Sequence, residues 1–310
     1  AVKSSKYACR KSTSMLVLLA SSAAWRAAPT IIGDRKACSA RTAPATMAVG
    51  DRKEPKSNTF VSLRQTFALA ADARPPPAVE RFLESARTAP RCLYCGWSRN
   101  EDFLVLEEAF ADADAPTAHW NAARPELDAL TALSAPELHG PTAEIARCAV
   151  DATLYALDAS AFSNFARDTD GHMTGLRAGS LQQRFAVSDW AAAAPIMEAI
   201  VEAAKRERGV IHFGWARSDD RLFLRAAHQN EAAILRHIDG VAPLVAKLAA
   251  GPAALESTEL HATTAQLNGC RSAVEDAYAG ARCFARCGGF SRYEAWEGDF
   301  EGWKSNVRFS

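Results

Sequence analysis

The sequence predicts an α+β fold in which one unit occurs twice, each unit having the ferredoxin-like order β-α-β-β-α-β. Three observations predict it. An internal repeat extends over about ninety residues, apolar residues recur at strand and helix periods in the same order in both copies, and a segment with three glycines separates the copies. Two such sheets, packed face to face, would cover the face that the helices leave open.

The repeat is visible first in residues 62–69 (SLRQTFAL), which match residues 180–187 (SLQQRFAV) at an offset of 118, with five of eight positions identical. The same offset aligns residues 91–106 with residues 209–224, with six of sixteen identical, and places His119 on His237. Such agreement in order and spacing indicates a tandem duplication.

The repeat continues towards the end of each copy. After a four-residue slip, residues 136–148 (PELHGPTAEIARC) match residues 258–270 (TELHATTAQLNGC), with six of thirteen positions identical. We therefore predict two domains, residues 58–167 and 180–293, joined by a linker at 168–179 and followed by a tail at 294–310.

The helices and strands of each copy are predicted from the spacing of their apolar residues. The first strands are rich in β-formers, and the first helix of copy one has an apolar stripe of Val79, Phe82, Leu83 and Ala86. Two strands joined by a short polar turn form a hairpin in each copy. Predicted strands of copy one are 59–69, 93–98, 103–110, 136–139 and 161–167, and its helices are 77–89, 115–133 and 143–157.

Copy two repeats this order, with Pro243 placed in its second helix as Pro125 is in copy one. A proline inside a helix removes one hydrogen bond, so each of these helices is expected to kink or split. The predicted strands of copy two are 180–187, 210–216, 222–228, 257–262 and 282–290, and its helices are 191–208, 231–250 and 264–279.

The charge is distributed unequally along the chain. The 36 basic and 36 acidic side chains cancel, yet residues 1–50 hold eight basic residues and one acidic residue, so the rest carries a net charge of −7. An acidic body disfavours nucleic acid as a partner, and no segment has the roughly 18 consecutive apolar residues of a membrane span.

The basic head has the pattern of a targeting presequence. Residues 15–25 (MLVLLASSAAW) form an apolar run of signal-peptide length after four basic residues, and residues 26–48 are rich in Ala, Ser, Thr and Arg, as transit peptides are. Together they resemble the bipartite presequence of plastid proteins in algae with secondary plastids. We expect a plastid location; a plain secretory signal or a misassigned gene start is the alternative.

Four segments carry a family resemblance: residues 90–98 (PRCLYCGWS), 107–110 (EEAF), 118–120 (AHW) and 137–141 (ELHGP). They resemble the antibiotic-biosynthesis-monooxygenase type of domain, well over 58–167 and more weakly over 179–293. The resemblance implies a dimeric α/β barrel, formed here as a pseudo-dimer by the two halves of one chain. Family members include cofactor-independent monooxygenases acting on phenolic polyketides, heme-degrading enzymes and proteins of no known activity.

The resemblance also suggests site residues. The family often has an aromatic residue at the end of the third strand and a histidine about ten residues later, which here are Phe110 and His119, or His228 and His237 in copy two. His119 and His237 are the candidate catalytic bases, since an imidazole titrates near neutral pH. The alternative is a packing histidine at a helix–sheet junction.

The candidate substrate-binding residues are Tyr94, Phe110, His212 and His228. Tyr94 and His212 occupy equivalent positions and should share a strand face with the glycine of the neighbouring Gly-Trp pair. A cavity lined by His119, Phe110 and Tyr94 would favour an enzyme or a binding protein, whereas solid packing there would favour a structural subunit.

Other motifs are weaker. Cys92 and Cys95 are expected to be buried apolar residues, because copy two replaces both and positions three apart on a strand point to opposite faces. Cys283 and Cys287 have no histidine pair at zinc spacing. The repeated Glu-x-His, at Glu137 and at Glu259, places two polar side chains on one strand face, as a proton-handling pair or as an exposed strand end, and we favour the exposed end.

The resulting hypotheses are a cofactor-independent oxygenase acting on a small aromatic or isoprenoid-like molecule, and a non-catalytic module holding a pigment, heme or lipid-like ligand or assisting assembly. No metal site is predicted, and heme is the one cofactor left open. Heme degradation is disfavoured because the tryptophan that such relatives carry near the end of the third strand is absent. The expected partners are a small apolar or aromatic molecule and the other half of the same chain, with room for a further homo-oligomer.

Overall fold

A computed structural model describes residues 61–69, 76–157, 162–163 and 178–291, all within the unit formed by residues 54–310. The predicted presequence, the tail, most of the linker and most of the predicted strand at 161–167 lie outside these residues. In the first half the strands are β1 (Val61–Ala68), β2 (Cys92–Arg99), β3 (Phe103–Phe110), β4 (Glu137–Gly140), β5 (Thr153–Leu157) and β6 (Phe162–Ser163). Its helices are α1 (Pro77–Thr88), α2 (Asp114–Ala122), α3 (Arg124–Asp128) and α4 (Thr142–Ile145).

The second half repeats this order with longer helices. Its strands are β7 (Gly179–Val187), β8 (Val210–Ser218), β9 (Arg221–His228), β10 (Ala253–Ala262) and β11 (Arg282–Ser291), and its helices are α5 (Trp190–Arg206), α6 (Glu231–Ala249) and α7 (Thr264–Ala277). Apart from bounds that move by a few residues, the predicted elements of copy two are confirmed.

Ten strands form one closed mixed barrel. The first half has the order β5-β4-β1-β3-β2 and the second has β11-β10-β7-β9-β8. The last strand of each half joins the other half: β11 pairs with β2, and β5 pairs with β8 and so closes the ring, while β6 also pairs with β8. The helices cover the outside of this barrel, where they pack on the buried cores that include Trp97 and Trp215.

One prediction for the first half is wrong. Residues 143–157 do not form one helix, because α4 ends at Ile145 and residues 153–157 form the closing strand β5. Thr153 and Tyr155 are β-formers in a short run whose period cannot separate strand from helix, and the pairing with β4 and β8 decides it. The predicted break at Pro125 is confirmed, since α3 begins there, whereas α6 continues through Pro243.

The two faces of the sheet differ in character. Towards the helices the strands present apolar side chains. Towards the inside they present charged ones, as contacts between strands that are not neighbours in the sheet show: Arg64 of β1 reaches Glu259 of β10, and Arg184 of β7 reaches Glu137 of β4. The barrel is therefore held together across its interior by ion pairs between the two halves.

Candidate functional site

His119 and His237 lie between the helices and the sheet, on the outer side of the barrel wall rather than inside it. His119 projects from α2 and His237 from α6, and both are buried. Phe110 and His228, the last residues of β3 and β9, face the same helices, so the structure brings each predicted pair together. Each half thus contains one helix–sheet compartment with a histidine in it.

In the first half, His119 meets a carboxyl group. Its Nε2 atom lies 3.0 Å from Oε1 of Glu108, a contact that falls short of hydrogen-bond geometry, and both side chains are buried. The imidazole ring also packs edge-on against Phe82, with 5.1 Å between ring centroids. Burial raises the pKa of Glu108, which outweighs the opposing effect of His119, and so favours the neutral carboxylic acid.

In the second half, His237 meets a different carboxylate. Its Nδ1 atom lies 2.7 Å from Oε2 of Glu207, the residue that follows α5. A carboxylate accepts hydrogen bonds, so Nδ1 carries the proton and Nε2 holds the free electron pair in the neutral imidazole. This Nε2 is buried and has no hydrogen-bond partner among the described residues.

His228 completes this compartment. Its ring lies 4.6 Å from that of His237, centroid to centroid, and both residues are fully buried. Burial, with a further contribution from His237, lowers the pKa of His228 well below its usual value, although the backbone of Gly179 offsets part of this. His228 is therefore neutral at physiological pH.

The two halves supply the carboxylate from different elements. Glu108 comes from β3 and has Ala226 as its counterpart, whereas Glu207 stands at the end of α5 and has Ala89 as its counterpart. Sequence reasoning missed both. Glu108 lies two residues before Phe110 on the same strand face and could have been found by that spacing. Glu207 is 30 residues from His237, and nothing in the sequence links them.

Tyr94 and His212 lie on the opposite, inner face of the wall, so Tyr94 does not line one cavity together with His119 and Phe110. The alternation of side chains along β2 places Tyr94 away from the helices, and its hydroxyl lies 2.5 Å from Nη1 of Arg286. The ring folds over Gly96, where a Cβ atom would stand 2.1 Å from the hydroxyl oxygen. The space beside this glycine is therefore filled by Tyr94.

The repeated Glu-x-His motifs also point into the barrel, and the preference for an exposed strand end is wrong. Glu137 and Glu259 are buried, and arginines of the opposite half hold both. His261 lies 2.6 Å, through Nδ1, from the hydroxyl of Ser98 and 3.2 Å, through Nε2, from Glu259. These side chains form a polar network that couples the two halves.

Two further kinds of chemistry, metal binding and cysteine reactivity, have little support in the described part of the chain. There, no group of three or more His, Cys, Asp or Glu side chains is placed to hold a metal ion. The six cysteines in those residues are free thiols, and Cys92 and Cys95 are buried as predicted. Burial raises the pKa of Cys95 well above its usual value, which keeps it a thiol. Among the helices described, none is both long and apolar enough to cross a bilayer.

Comparisons with known proteins find similarity at the level of the solved structures alone. No family model matches the chain, and no curated protein matches it. A candidate monooxygenase from Fusobacterium nucleatum is 11% identical over 65% of this chain and 90% of its own, with a TM-score of 0.45. An anthrone oxidase-like protein is 8% identical over 78% and 97%, with a TM-score of 0.42.

A heme-binding protein from Thermus thermophilus is 13% identical over 64% of this chain and 89% of its own, with a TM-score of 0.36. At such values these similarities assign no activity to this chain. The residues must carry any functional argument.

Proposed function

We propose that this protein is an oxidoreductase of the cofactor-independent monooxygenase kind, acting on a small aromatic molecule held between the helices and the sheet of the second half. One observation carries the proposal: Glu207 holds Nδ1 of His237, while Nε2 of the same ring is buried without a partner. An unpartnered buried nitrogen costs roughly 1–3 kcal/mol, and such groups persist where a ligand uses them.

The arrangement suits proton removal from a phenol or an enol. Nε2 of His237 takes the proton, and Glu207 stabilises the imidazolium that forms. The resulting anion reacts with O₂ at an activated ring carbon. One oxygen atom replaces two hydrogens of that carbon and the other leaves as water with them, so atoms and electrons balance. Phe213, whose ring centroid lies 6.0 Å from that of His237, makes the neighbouring side of this compartment apolar.

We place the chemistry in the second half for an electrostatic reason. Glu108 is fully buried, and burial raises its pKa, so its ionised form beside His119 is disfavoured by desolvation. The Glu207 side chain is 12% exposed, so it keeps contact with water and marks the side on which a ligand could enter. His237 and then His228 lie behind it.

A heme-binding module is the second candidate, because an imidazole with a free nitrogen is a donor that heme iron binds. The residues present fit it poorly. The rings of His228 and His237 lie 4.6 Å apart and both are fully buried, so no macrocycle fits between them. We expect hemin to produce no Soret shift that depends on His237; a shift lost in His237→Asn would favour this candidate instead.

Oxygen uptake with a panel of phenols and quinols tests the proposal. His237→Asn should lower the rate about 100-fold or more, because general base catalysis contributes on this order, and Glu207→Gln should lower it less. His119→Asn is the matched variant at the same helix position of the other half and should keep most of the rate. Loss of activity in His119→Asn with an active His237→Asn would place the chemistry in the first half and overturn the assignment.

Two finer proposals accompany this one. We infer that each half is a ferredoxin-like unit derived from a tandem duplication, which the strand order and the internal repeat support. We also propose import into a plastid, on the composition of residues 1–50. A mature N-terminus mapped far upstream of Asp51 in the native protein would contradict the second.

A further inference from the structure

One end of the barrel interior gathers cations around a single carboxylate. Arg225 of β9 approaches Glu107 of β3 at 3.5 Å, and Arg286 of β11 approaches it at 3.9 Å. Arg286 also meets the hydroxyl of Tyr94 at 2.5 Å. His212 of β8 lies within the electrostatic influence of Arg225. These residues, which we call the arginine end, come from both halves of the chain.

The charges at the arginine end do not balance. Two guanidinium groups face one carboxylate. One oxygen of Glu107 also accepts a hydrogen bond from Gln182, so it is not available to the arginines alone. An excess of cations also holds for the described interior as a whole, where five arginines face three glutamates. The arginines are Arg64, Arg184, Arg225, Arg282 and Arg286, and the glutamates are Glu107, Glu137 and Glu259.

The two arginines at this end make longer contacts with carboxylates than the other interior arginines do. Arg286 is held instead by neutral oxygens, since it donates to the Tyr94 hydroxyl and, through Nη2 at 3.1 Å, to the backbone oxygen of Ala178. Arg184 bonds to Glu137 through both terminal nitrogens, one of them at 2.6 Å, and Arg282 meets Glu259 at 2.5 Å. By contrast, the approaches of Arg225 and Arg286 to Glu107 are ion pairs too long for hydrogen bonds, and Nε of Arg286 is buried with no hydrogen-bond partner in the described residues. A buried guanidinium with a spare donor is costly unless an acceptor reaches it.

The surroundings are suited to an anion. Burial, assisted by Arg225, lowers the pKa of His212 to about 3, so this imidazole is neutral and can hydrogen-bond without adding charge. Burial also raises the pKa of Tyr94, which keeps its hydroxyl protonated as a donor. The Arg225 side chain is 30% exposed, whereas that of Arg286 is buried. The two guanidinium groups therefore lie at different depths, with Arg225 nearer the solvent and Arg286 deeper in the barrel.

We propose that the arginine end binds a small organic monocarboxylate, with Arg225 and Arg286 as its ionic partners and Tyr94 and His212 beside them. A single negative charge completes the balance of two guanidinium groups and one carboxylate, and a planar carboxylate matches the two parallel donors of a guanidinium. This site lies on the opposite face of the barrel wall from His237 and does not depend on the proposed oxygenase activity.

Calorimetric titration of the full chain with butyrate at low ionic strength tests this proposal, with butyramide as the neutral match and phosphate as the more highly charged anion. We expect saturable butyrate binding that salt weakens, and no binding of butyramide. Arg225→Gln should weaken butyrate binding at least about tenfold, as the loss of a charge-assisted hydrogen bond does.

Arg282→Gln is the matched control, because Arg282 is an interior arginine outside this end, held by Glu259. Arg282→Gln should keep the butyrate affinity within about twofold. Arg225→Lys keeps the charge but loses the paired donors of the guanidinium, so its butyrate affinity should lie between those of wild type and Arg225→Gln. Circular dichroism checks that each variant folds. Equal affinity for butyramide, tighter binding of phosphate, or undiminished butyrate binding in a folded Arg225→Gln would overturn the proposal.

Discussion

Buried charged residues are the feature that sequence reasoning handled least well. The Glu-x-His spacing correctly placed Glu137 and His139 on one strand face. Their burial could not be foreseen, because a carboxylate enters the interior only with a partner and Arg184 comes from a strand of the other half. The same holds for Glu207, whose contact with His237 joins the end of one helix to the middle of another.

The pairing of Glu137 predicts how stability responds to acid. Burial alone would raise its pKa, but the nearby His139, 3.6 Å away through Nε2, and the charges of Arg184 and Arg64 outweigh it and lower the pKa from 4.5 to about 2. A lowered pKa in the folded state stabilises the fold above about pH 4.5, and this contribution is lost as the pH falls towards 2. Its size is roughly 3 kcal/mol or less.

Urea unfolding of wild type and Glu137→Gln from pH 7 to pH 2 measures this effect. The difference in unfolding free energy should be largest near neutral pH and should narrow below pH 4.5. Glu256→Gln, which removes the partly exposed pair with Arg221, is the control and should cost about 1 kcal/mol or less. A Glu137→Gln difference that stays constant down to pH 2 would show that the carboxylate is not ionised in the fold.

At the scale of elements, packing decided where local pattern was ambiguous. In the first half α2 ends at Ala122, and Pro125 lies in the first turn of a new helix, α3. In the second half Pro243 lies inside α6, a helix of 19 residues capped by Asn230 and anchored by buried residues on both sides of the proline. The strand β5 was the main error, because a five-residue strand carries too short a pattern to be told from a helix. Its counterpart β11, with ten residues, was predicted correctly.

Two glycines at the starts of strands give a matched test of the turns. Gly209 and Gly280 both have positive φ, 89° and 79°. A Cβ atom at Gly209 would stand 2.7 Å from that of Ala233, whereas one at Gly280 would meet nothing within 4 Å. Gly280→Ala should therefore cost about 1–2 kcal/mol for the backbone alone, and Gly209→Ala should cost more because α6 must also shift.

Chemical denaturation of the two variants measures these costs. Equal destabilisation would mean that α6 does not pack against the turn before β8 as the structure has it.

At the scale of the whole molecule, the internal sequence repeat marks the limit of what could be predicted. The repeat predicted two similar halves that pair with each other. It did not predict that the last strand of each half completes the sheet of the other, or that the barrel interior would be charged while His119 and His237 lie outside it. These features arise from contacts between halves, and neither copy contains them in its own sequence.

The state of the His237 imidazole tests the central claim most directly. In the full chain with ¹⁵N-labelled histidine, nuclear magnetic resonance distinguishes a protonated from an unprotonated ring nitrogen. For the neutral imidazole the structure predicts a protonated Nδ1 and a bare Nε2, with this preference lost in Glu207→Leu, which removes the acceptor. A neutral ring with its proton on Nε2, or the same tautomer in wild type and Glu207→Leu, would contradict the assignment of His237 as a base held by Glu207.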